Sequence, residues 1–311
     1  MNGEDYSGPC GHARLEYRIS ALPRPSLISV VMPVLNGEEH VADQLAALAS
    51  QTYTGDWELV VVDNGCTDRT LDIVRDWRGR LPSVTIADAR ARRGLNHARN
   101  AGAAAARGDF LAFCDADDAA TSGWLAAMAA AAHDADIVGG RLEWEALNDP
   151  VVRAWRPQAP MTDLLVDHGF LRYAPGGNLG VWARVAHEIG WDEEFTFGSS
   201  DHGFAWRAQL AGYELTFAPA ALMQQRFRPT VWGMARQHFR YGRSGPQLHR
   251  AFRDVGLPGP DNRDALRQWR RLLSDLPALW GSRERRGHWV RIAAFRLGRI
   301  EGSLRARTLC L

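Results

Sequence analysis

The sequence contains no lysine, and all 37 Lys or Arg side chains are arginine. Arginine is the better bidentate ligand for phosphate, but a GC-rich genome produces the same bias, and we attribute the missing lysine to the genome. The four cysteines, at positions 10, 66, 114 and 310, show no CxxC or histidine-adjacent spacing. This indicates neither a zinc site nor a disulfide framework, and it is typical of a reducing cytoplasm.

Long apolar runs and nucleotide-binding loops are absent as well. No run of about 18 apolar residues occurs, and the N-terminus lacks the charged-then-apolar pattern of a signal peptide. The sequence has no GxGxxG after its first predicted strand and no GxxxxGK[ST] loop, which argues against a dinucleotide site and against a P-loop. We therefore expect a cytoplasmic protein, either free or bound peripherally at the inner face of a membrane.

The charge is unevenly distributed. Residues 1–221 carry 18 Arg and 30 Asp or Glu, whereas residues 222–311 carry 19 Arg and 6 Asp or Glu. The segment 283–311 alternates apolar and arginine residues, as in an amphipathic helix. Such a helix suits an anionic membrane surface, or it packs on the acidic body or in a homodimer, and both interpretations stay open. Nucleic acid is not an expected partner, because no known binding fold or aromatic platform accompanies the charge.

Short apolar runs alternate with segments of helical spacing. Strands are predicted at 27–32, where Pro33 is expected to end the run, and at 57–62, 84–87 and 110–114. Helices are predicted at 183–189 and 201–211, and a last strand is predicted at 213–217. From residue 231 onward the pattern predicts helices that are interrupted near 242–245 and 256–260. Strands that are apolar on both faces indicate an α/β fold with a mainly parallel sheet covered by helices on both sides.

Three aspartates, Asp115, Asp117 and Asp118, directly follow the predicted strand 110–114. Carboxylates this close repel one another unless a positive charge lies between them. A hard cation such as Mg²⁺ or Mn²⁺, which shares its shell with phosphate oxygens, is the usual solution. The alternative is a helix N-cap with a solvated first turn.

Polar clusters follow three of the predicted strands, at 33–38, 63–68 and 115–118. In an open parallel sheet, ligands bind at the carboxyl ends of the strands, so we expect these clusters to converge on one crevice. Asp63 can accept a hydrogen bond from a ribose hydroxyl or a uracil N–H, or it can cap the following helix.

Four blocks of the sequence resemble glycosyltransferase family 2, in matching order and spacing. They are VVMPVLNGE at 30–38, ELVVVDNGCTD at 58–68, GLNHARNAG at 94–102 and DADD at 115–118. A second patch, formed by Gly176-Gly177-Asn178 and by GSSD at 198–201, resembles the acceptor side of the same family. The resemblance implies a GT-A fold, and the helical pattern from residue 231 onward adds a helical C-terminal extension to it.

The same resemblance implies roles on the donor side. Asp63 would contact the base or ribose of a nucleotide-sugar, and Arg99 would face its phosphates unless it is a surface or capping residue. Asp115 and Asp117 would form a DxD pair that binds Mg²⁺ or Mn²⁺, with Asp118 as a third ligand or orienting group. The base pocket would be lined by Pro33, Asn36 and Glu38.

On the acceptor side, Asp201 would be the general base that takes the proton from the acceptor hydroxyl, or it caps the helix that follows. Ser200 stands where the family has an acidic neighbour, and His202 either assists at this position or is structural. Gly176, Gly177 and Asn178 would form an acceptor or donor-sugar loop. QHFRY at 237–241 resembles a QxxRW motif, in which Arg240 supports the diphosphate and Tyr241 stacks on the acceptor sugar; an exposed helical face is the alternative.

Together these features predict a metal-dependent, inverting glycosyltransferase that moves a hexose or N-acetylhexosamine, from a UDP-sugar in preference, to a hydroxyl acceptor. The acceptor would be a saccharide, a lipid-linked molecule or a small molecule. The alternatives are a non-catalytic nucleotide-sugar-binding or scaffold protein, and a nucleotidyltransferase. We expect a loose leader at 1–26, a catalytic domain at 27–221 and an arginine-rich helical region at 222–311.

Overall fold

A computed structural model describes residues 22–195 and 198–310. Within them the chain forms one large mixed sheet and one small one. The large sheet has the order β3-β2-β1-β4-β9-β6-β10-β5, and β7 pairs with β8 separately. The strands are β1 (Ile28–Val34), β2 (Trp57–Asp63), β3 (Val84–Asp88), β4 (Phe110–Cys114), β5 (Ala119–Ala120), β6 (Ile137–Glu143), β7 (Leu165–Val166), β8 (Arg172–Tyr173), β9 (Asn178–Trp182) and β10 (Leu215–Gln224).

Helices surround the large sheet and continue beyond it. They are α1 (Val41–Ala49), α2 (Thr70–Asp76), α3 (Leu95–Ala105), α4 (Trp124–Ala131), α5 (Pro150–Trp155), α6 (Ala183–Ile189), α7 (Ser200–Leu210), α8 (Val231–Phe252), α9 (Asn262–Ser274) and α10 (Arg283–Ala306). Short 3-10 helices occur at Arg78–Arg80, Arg253–Val255 and Leu276–Trp280. The predicted α/β class with a helical C-terminal extension is confirmed.

The sheet is mainly parallel, as predicted. Strands β3, β2, β1 and β4 run parallel, and β6 runs parallel to β10. Strand β9 is antiparallel to both β4 and β6. The sequence did not reveal β9, because its five residues follow a glycine pair in a stretch without a clear period. Every residue of β1, β2, β4 and β9 is buried, so the core lies on both faces of the central strands.

Strand β1 does not end at Pro33, contrary to the prediction. Pro33 pairs in register with Val62 and the strand continues to Val34. The pairing of β1 with β4 extends only to Val31. Pro33 therefore lies beyond the doubly paired part of the strand, where a missing N–H is tolerated.

Helix α3 lies unusually close to the sheet because of Gly102. A Cβ atom at Gly102 would lie 2.7 Å from Cγ2 of Val62 and would also overlap Val31. Arg99 lies three residues earlier, on the same face of the helix. The close approach at Gly102 therefore holds Arg99 against the carboxyl ends of the strands.

The predicted interruption near 242–245 is wrong, whereas the interruption near 256–260 is confirmed. Helix α8 runs unbroken through this glycine-rich stretch and Pro246. Gly242 is needed for tertiary packing, since a Cβ atom there would lie 2.9 Å from the backbone nitrogen of Arg299 in α10. Helix α8 ends at Phe252, and Gly256 (φ +104°) reverses the chain in the left-handed region that glycine favours.

The C-terminal helix packs on the same chain. Gly298 of α10 lies against the backbone of Phe239 in α8, and Gly287 lies against Trp155 in α5. The Trp155 Nε1–H donates to the Arg283 carbonyl oxygen at 3.0 Å. Packing on the body is thus observed for this helix, while contact with a membrane or with a second copy stays a prediction.

The structure crosses both predicted domain boundaries, the one after residue 26 and the one after residue 221. Residues 1–21 of the predicted leader lie outside the described residues, but Leu22 donates its N–H to the His133 carbonyl oxygen at 2.9 Å, and Ser26 bonds to Asp109. Strand β10 passes through the predicted domain boundary at 221 and ends at Gln224.

Across residues 22–195 and 198–310, no helix has both the length and the apolar character that crossing a membrane requires.

The contact between α8 and α10 yields a stability prediction. We expect Gly298→Ala to lower the free energy of unfolding by about 1–3 kcal/mol, because its methyl group would overlap the Phe239 carbonyl and separate the helices. Urea denaturation measures the change. Gly79→Ala is the matched control, since a Cβ atom at Gly79 has no neighbour within 4 Å. Equal stability of the two variants would contradict the close packing.

Candidate functional site

A cavity of about 1250 Å³ opens beside the carboxyl end of β4 and extends to α8 and α10. Most of the residues predicted for phosphate binding and for the acceptor side line it. They are Arg99, Asp115, Asp118, Gly176, Gly177, Asp201 and Tyr241. The topology therefore brings together side chains that are up to 142 positions apart in the chain.

Each of the three aspartates has an arginine from another part of the chain as its neighbour. Arg99 Nη2 lies 3.6 Å from Asp115 Oδ1, and Arg228 Nη1 lies 3.0 Å from Asp117 Oδ2. The backbone N–H of Arg226 donates to Asp118 Oδ1 at 2.8 Å. Positive charge therefore lies against the aspartate cluster, as the repulsion between its carboxylates predicts. The alternative, a helix N-cap with a solvated first turn, does not describe these three side chains.

The cluster remains electrostatically strained. Burial, and then the charge of Asp117, raise the pKa of Asp115 even though Arg99 opposes the shift. Burial, and then the charges of Asp115 and Asp117, raise the pKa of Asp118 well above its ordinary value. A further cation at this cluster would stabilise the ionised carboxylates.

The donor set suits a hard divalent cation, and the role of Asp118 as a third ligand or as an orienting group stays a prediction. Among residues 22–195 and 198–310, no group of three or more His, Cys, Asp or Glu side chains is arranged to hold a metal ion. Asp118 is 3% exposed and its Oδ1 is bonded to backbone, so it faces inward. Asp115 and Asp117 are the partly exposed members, and their oxygens are the ligands that Mg²⁺ and Mn²⁺ take together with phosphate oxygens.

Arg99 is buried at the centre of the site, so its interpretation as a surface residue is wrong. Its guanidinium lies 4.3 Å from the centre of the Trp191 ring, and Nη1 lies 3.4 Å from Ser200 Oγ. Its Nε–H is buried and has no hydrogen-bond partner within 22–195 and 198–310. Trp191 gave no signal in the sequence, because only the fold brings it beneath Arg99.

Gly176 and Gly177 close over the Arg99–Asp115 pair. A Cβ atom at Gly176 would lie 2.7 Å from Arg99 Nη1, and one at Gly177 would lie 2.7 Å from Asp115 Cγ. Any larger residue at either position would displace one member of the pair. Glycine is required here for close approach and not for an unusual backbone angle.

Asn178, the third residue of the predicted sugar loop, has a structural position. It is fully buried, accepts from Trp124 Nε1–H at 2.8 Å, and donates to the carbonyl oxygens of Arg141 and Ala221. These bonds join β9 to helix α4 and to strands β6 and β10. Asn178 does not line the cavity, and the geometry does not support a contact with a sugar.

The residues predicted for the base pocket lie at the ends of β1 and β2, outside the cavity lining. Asn36 Oδ1 accepts from the Thr67 N–H at 2.8 Å, and Glu38 accepts from the Arg69 N–H at 3.0 Å. These bonds lock the loops after β1 and β2 together. Pro33 is buried within β1 beside them.

Asp63 ends β2 and orders the loop that follows it. Its Oδ1 accepts from the N–H groups of Gly65 at 3.0 Å and Cys66 at 2.8 Å. Its Oδ2 lies 3.8 Å from Arg90 Nε. The carboxylate therefore forms a loop cap through one oxygen, and contact with a nucleotide through the other stays a prediction.

Asp201 lies in the first turn of α7 and bonds to its neighbour in sequence. Its Oδ1 lies 2.9 Å from His202 Nδ1, and His202 Nε2 lies 3.4 Å from Asp167 Oδ2. The imidazole also stacks on the Tyr173 ring, with 3.6 Å between ring centres. His202 thus bridges two carboxylates, which the sequence did not predict because Asp167 belongs to a distant loop.

The bridge controls the protonation of both groups. Although burial opposes it, the charges of Asp201 and Asp167 raise the pKa of His202 to about 9. Burial likewise disfavours the ionised form of Asp201, but the charge and hydrogen bond of His202 and the charge of Arg99 outweigh it and lower the pKa of Asp201. At neutral pH the site therefore holds an imidazolium between two carboxylates.

Only part of the QHFRY segment faces the cavity. His238 and Tyr241 lie three residues apart on one face of α8 and line the cavity. Arg240 is exposed and does not line it. The alternative of an exposed helical face describes Arg240, and the geometry does not support its predicted contact with a diphosphate.

Solved structures share this architecture. The mannosyltransferase PcManGT from Pyrobaculum calidifontis, in complex with GDP-Man and Mn²⁺, superposes with a TM-score of 0.59 at 18% identity over 89% of this chain and 88% of that one. S. aureus TarS 1-349 in complex with UDP-GlcNAc gives 0.53 at 19% identity over 90% and 92% of the two chains. The fold is the GT-A fold of the glycosyltransferases.

The family follows from the sequence match. Residues 29–187 match Glycosyl transferase family 2, so the chain belongs to that family and is a family 2 glycosyltransferase. Glycosyltransferase AglE of Haloferax volcanii is 29% identical over 74% of this chain and 75% of its own length. The uncharacterized glycosyltransferase EpsJ of Bacillus subtilis is 33% identical over 36% of this chain and 33% of its own length.

The His202 bridge predicts an unusual titration. In ¹⁵N NMR we expect the His202 imidazole to stay protonated until pH about 9, and His238, neutralised chiefly by burial, to titrate at about 4. In Asp167→Asn the pKa of His202 should fall, because one of its two carboxylates is lost. The protonated bridge stabilises the folded protein fully below pH about 6.5. This stabilisation is lost as the pH rises through about 9, because the imidazole then loses its proton. An unchanged pKa in Asp167→Asn would refute the bridge.

Proposed function

We propose that this protein is a metal-dependent, inverting transferase that moves a sugar from a nucleoside diphosphate to a hydroxyl acceptor, with Asp201 as the general base. One observation carries this proposal. Arg99, paired with Asp115, also approaches Ser200 beside Asp201, so a phosphate-binding group and a base adjoin in one cavity. Both Asp115 and Asp201 act on the Arg99 guanidinium electrostatically.

The donor's diphosphate fits the edge of the sheet beyond β4. Arg99 and Arg228 offer guanidinium groups to its oxygens, and guanidinium groups match phosphate geometry. Asp115 and Asp117 would hold Mg²⁺ or Mn²⁺, and the bound ion would supply positive charge that stabilises the diphosphate as a leaving group. The Mn²⁺ and GDP-Man in the structure of PcManGT support this assignment.

The transfer itself is a single displacement. The acceptor hydroxyl oxygen attacks the anomeric carbon while the bond from that carbon to the diphosphate oxygen breaks. The bonding electron pair leaves with the diphosphate, and the hydroxyl proton passes to the Asp201 carboxylate. Because the pKa of Asp201 is lowered, despite its burial and chiefly by His202, this carboxylate is ionised and ready to accept a proton.

His202 and Asp167 act as positioning residues for the base. The family's acidic neighbour is replaced by Ser200, which leaves Asp201 without its usual partner. The 2.9 Å bond from His202 fixes the Asp201 carboxylate, and Asp167 and Tyr173 fix the imidazole. Orientation of a catalytic group by a second side chain is a common arrangement.

The nucleotide we favour is UDP, with a hexose or N-acetylhexosamine as the sugar. TarS was solved with UDP and with UDP-GlcNAc, whereas PcManGT was solved with GDP-Man. Asp63 would meet the base or ribose through its second oxygen, beside the locked loops of Asn36 and Glu38. A cytoplasmic location and contact of the basic C-terminal helices with a membrane or a second copy stay predictions.

The base assignment predicts a separation of binding from chemistry. Asp201→Asn should bind UDP with Mn²⁺ as tightly as the wild-type protein and lose about 10²- to 10⁴-fold in transfer rate, because the acceptor proton has no base. Calorimetry measures binding, and UDP release with a mixed acceptor pool measures transfer. Asp134→Asn, an exposed carboxylate outside the cavity, is the control. Transfer by Asp201→Asn at the wild-type rate would exclude this base.

The metal assignment predicts that a substitution at Asp117 weakens nucleotide binding itself. Asp117→Asn should lose the part of UDP affinity that depends on Mn²⁺ and keep the weaker affinity measured in EDTA, since Arg99 remains in place. A titration of UDP with and without Mn²⁺ shows the difference. If wild-type affinity is the same in both conditions, the metal assignment is wrong.

These measurements also separate the alternative functions. A wild-type protein that binds UDP or GDP but neither hydrolyses nor transfers any sugar would be a nucleotide-sugar-binding or scaffold protein. A nucleotidyltransferase would instead release pyrophosphate from a nucleoside triphosphate. A screen of nucleotide-sugars by thermal stabilisation identifies the donor, because at equal concentration the ligand that binds the folded protein more tightly raises the melting temperature more.

A further inference from the structure

The cavity is larger than the proposed donor sugar requires, and its far wall is basic. Its volume of about 1250 Å³ lies above the usual range of about 300–1,000 Å³ for small-molecule sites. Asp115 and Asp118 line the end near the sheet, whereas Arg156 and Arg291 line the wall formed with α5 and α10. The lining also includes Asp201 on α7 and four aspartates of other segments, Asp163, Asp167, Asp261 and Asp264. The space beyond Asp201 is thus available to an acceptor.

Arg156 has no carboxylate partner among the residues that the structure describes. It follows α5, is half-buried, and its guanidinium lies 5.0 Å from the centre of the Phe227 ring. In the described parts of the chain no acidic side chain lies within ion-pair distance of it, and its guanidinium makes no hydrogen bond. Its neighbour Arg153, in contrast, pairs with Glu145 at 3.1 Å.

Arg291 presents a second such group to the same wall. Its Nε–H donates to the Trp155 carbonyl oxygen at 2.8 Å, which fixes the guanidinium against α5. Across residues 22–195 and 198–310 its terminal nitrogens have no carboxylate within ion-pair distance. Burial first, and then the charge of Arg156, lower the pKa of Arg291, which is consistent with two cations sharing one region.

Neighbouring side chains respond to this positive region. His238 lines the cavity, and burial followed by the charges of Arg156 and Arg291 lower its pKa to about 4, so it is neutral at physiological pH. Tyr241 lines the cavity as well, and burial is the main cause that raises the pKa of its hydroxyl, while the charge of Arg156 opposes that shift. The charges of Arg156 and Arg291 therefore act on side chains of α8 that line the same cavity as Asp201.

We propose that Arg156 and Arg291 form an anion subsite that binds a phosphate group of the acceptor, next to the hydroxyl that receives the sugar. Half-buried guanidinium groups without a counterion are costly, and a phosphate supplies the paired oxygens that such groups bind in bidentate fashion. The inference rests on the proposed function, because it specifies the acceptor of that reaction. The phosphate belongs either to a water-soluble polyol phosphate or to a lipid headgroup.

The test uses the whole chain, saturated with UDP or GDP and Mg²⁺ so that the diphosphate site is filled. Glycerol 1-phosphate is then titrated by calorimetry, with glycerol as the neutral reference. We expect Arg156→Gln to weaken glycerol 1-phosphate binding about tenfold or more, as the loss of one charge-assisted hydrogen bond predicts. Arg291→Lys, which keeps the charge and loses the fork, should weaken it less.

Arg250→Gln is the matched control, because Arg250 is an exposed arginine of α8 outside the cavity. A second arm replaces glycerol 1-phosphate with phosphatidylglycerol in neutral detergent micelles, with diacylglycerol as its reference. Binding in either arm, with loss in Arg156→Gln and not in Arg250→Gln, supports the subsite. The arm that binds more tightly identifies the source of the phosphate.

Three outcomes overturn the inference while the proposed function stands. They are competition between glycerol 1-phosphate and the nucleoside diphosphate, equal binding by Arg156→Gln and wild type, and absence of binding in both arms although the nucleotide binds. If neither UDP nor GDP binds, the proposed function fails, and the acceptor subsite fails with it.

Discussion

The Arg99–Asp115 pair is the interaction around which the site is organised. Gly102 lets α3 approach the sheet and holds Arg99 at the strand ends, and Trp191 supports the guanidinium from below. Gly176 and Gly177 then close over the two charged groups without room for a side chain. Because Arg99 is buried, removing Asp115 would leave an uncompensated charge, and three glycines on two separate segments, α3 and the loop before β9, are needed to build the pair.

Oppositely charged groups are paired within the cavity. Arg99 lies beside Asp115, and the His202 imidazolium lies beside Asp201, while Arg156 and Arg291 line the wall formed with α5 and α10. In each pair, one charge lowers the cost of burying the other. The cavity therefore offers groups suited to a diphosphate leaving group beside the sheet and, under the proposed acceptor subsite, groups suited to an anionic acceptor at the wall of α5 and α10.

The C-terminal helices complete this cavity and are not an appendage to it. Helices α8 and α10 meet through Gly242 and Gly298, so their backbones lie in direct contact. Tyr241 and His238 on α8 and Arg291 on α10 then form part of the cavity wall. The basic character that distinguishes residues 222–311 in the sequence is therefore partly turned inward, toward the proposed acceptor.

The sequence by itself determined the alternation of strands and helices, the family, and the aspartates after β4, because apolar period and short motifs are local properties. It also located Asp201 and the glycine pair by their motif. Only the tertiary structure decided that Asn178 is an internal sheet contact, that Arg240 faces outward, and that His202 bridges Asp201 and Asp167. It likewise kept α8 continuous where its glycines predicted a break. These properties depend on what lies opposite each residue across the fold, and spacing along the chain does not encode such long-range neighbours.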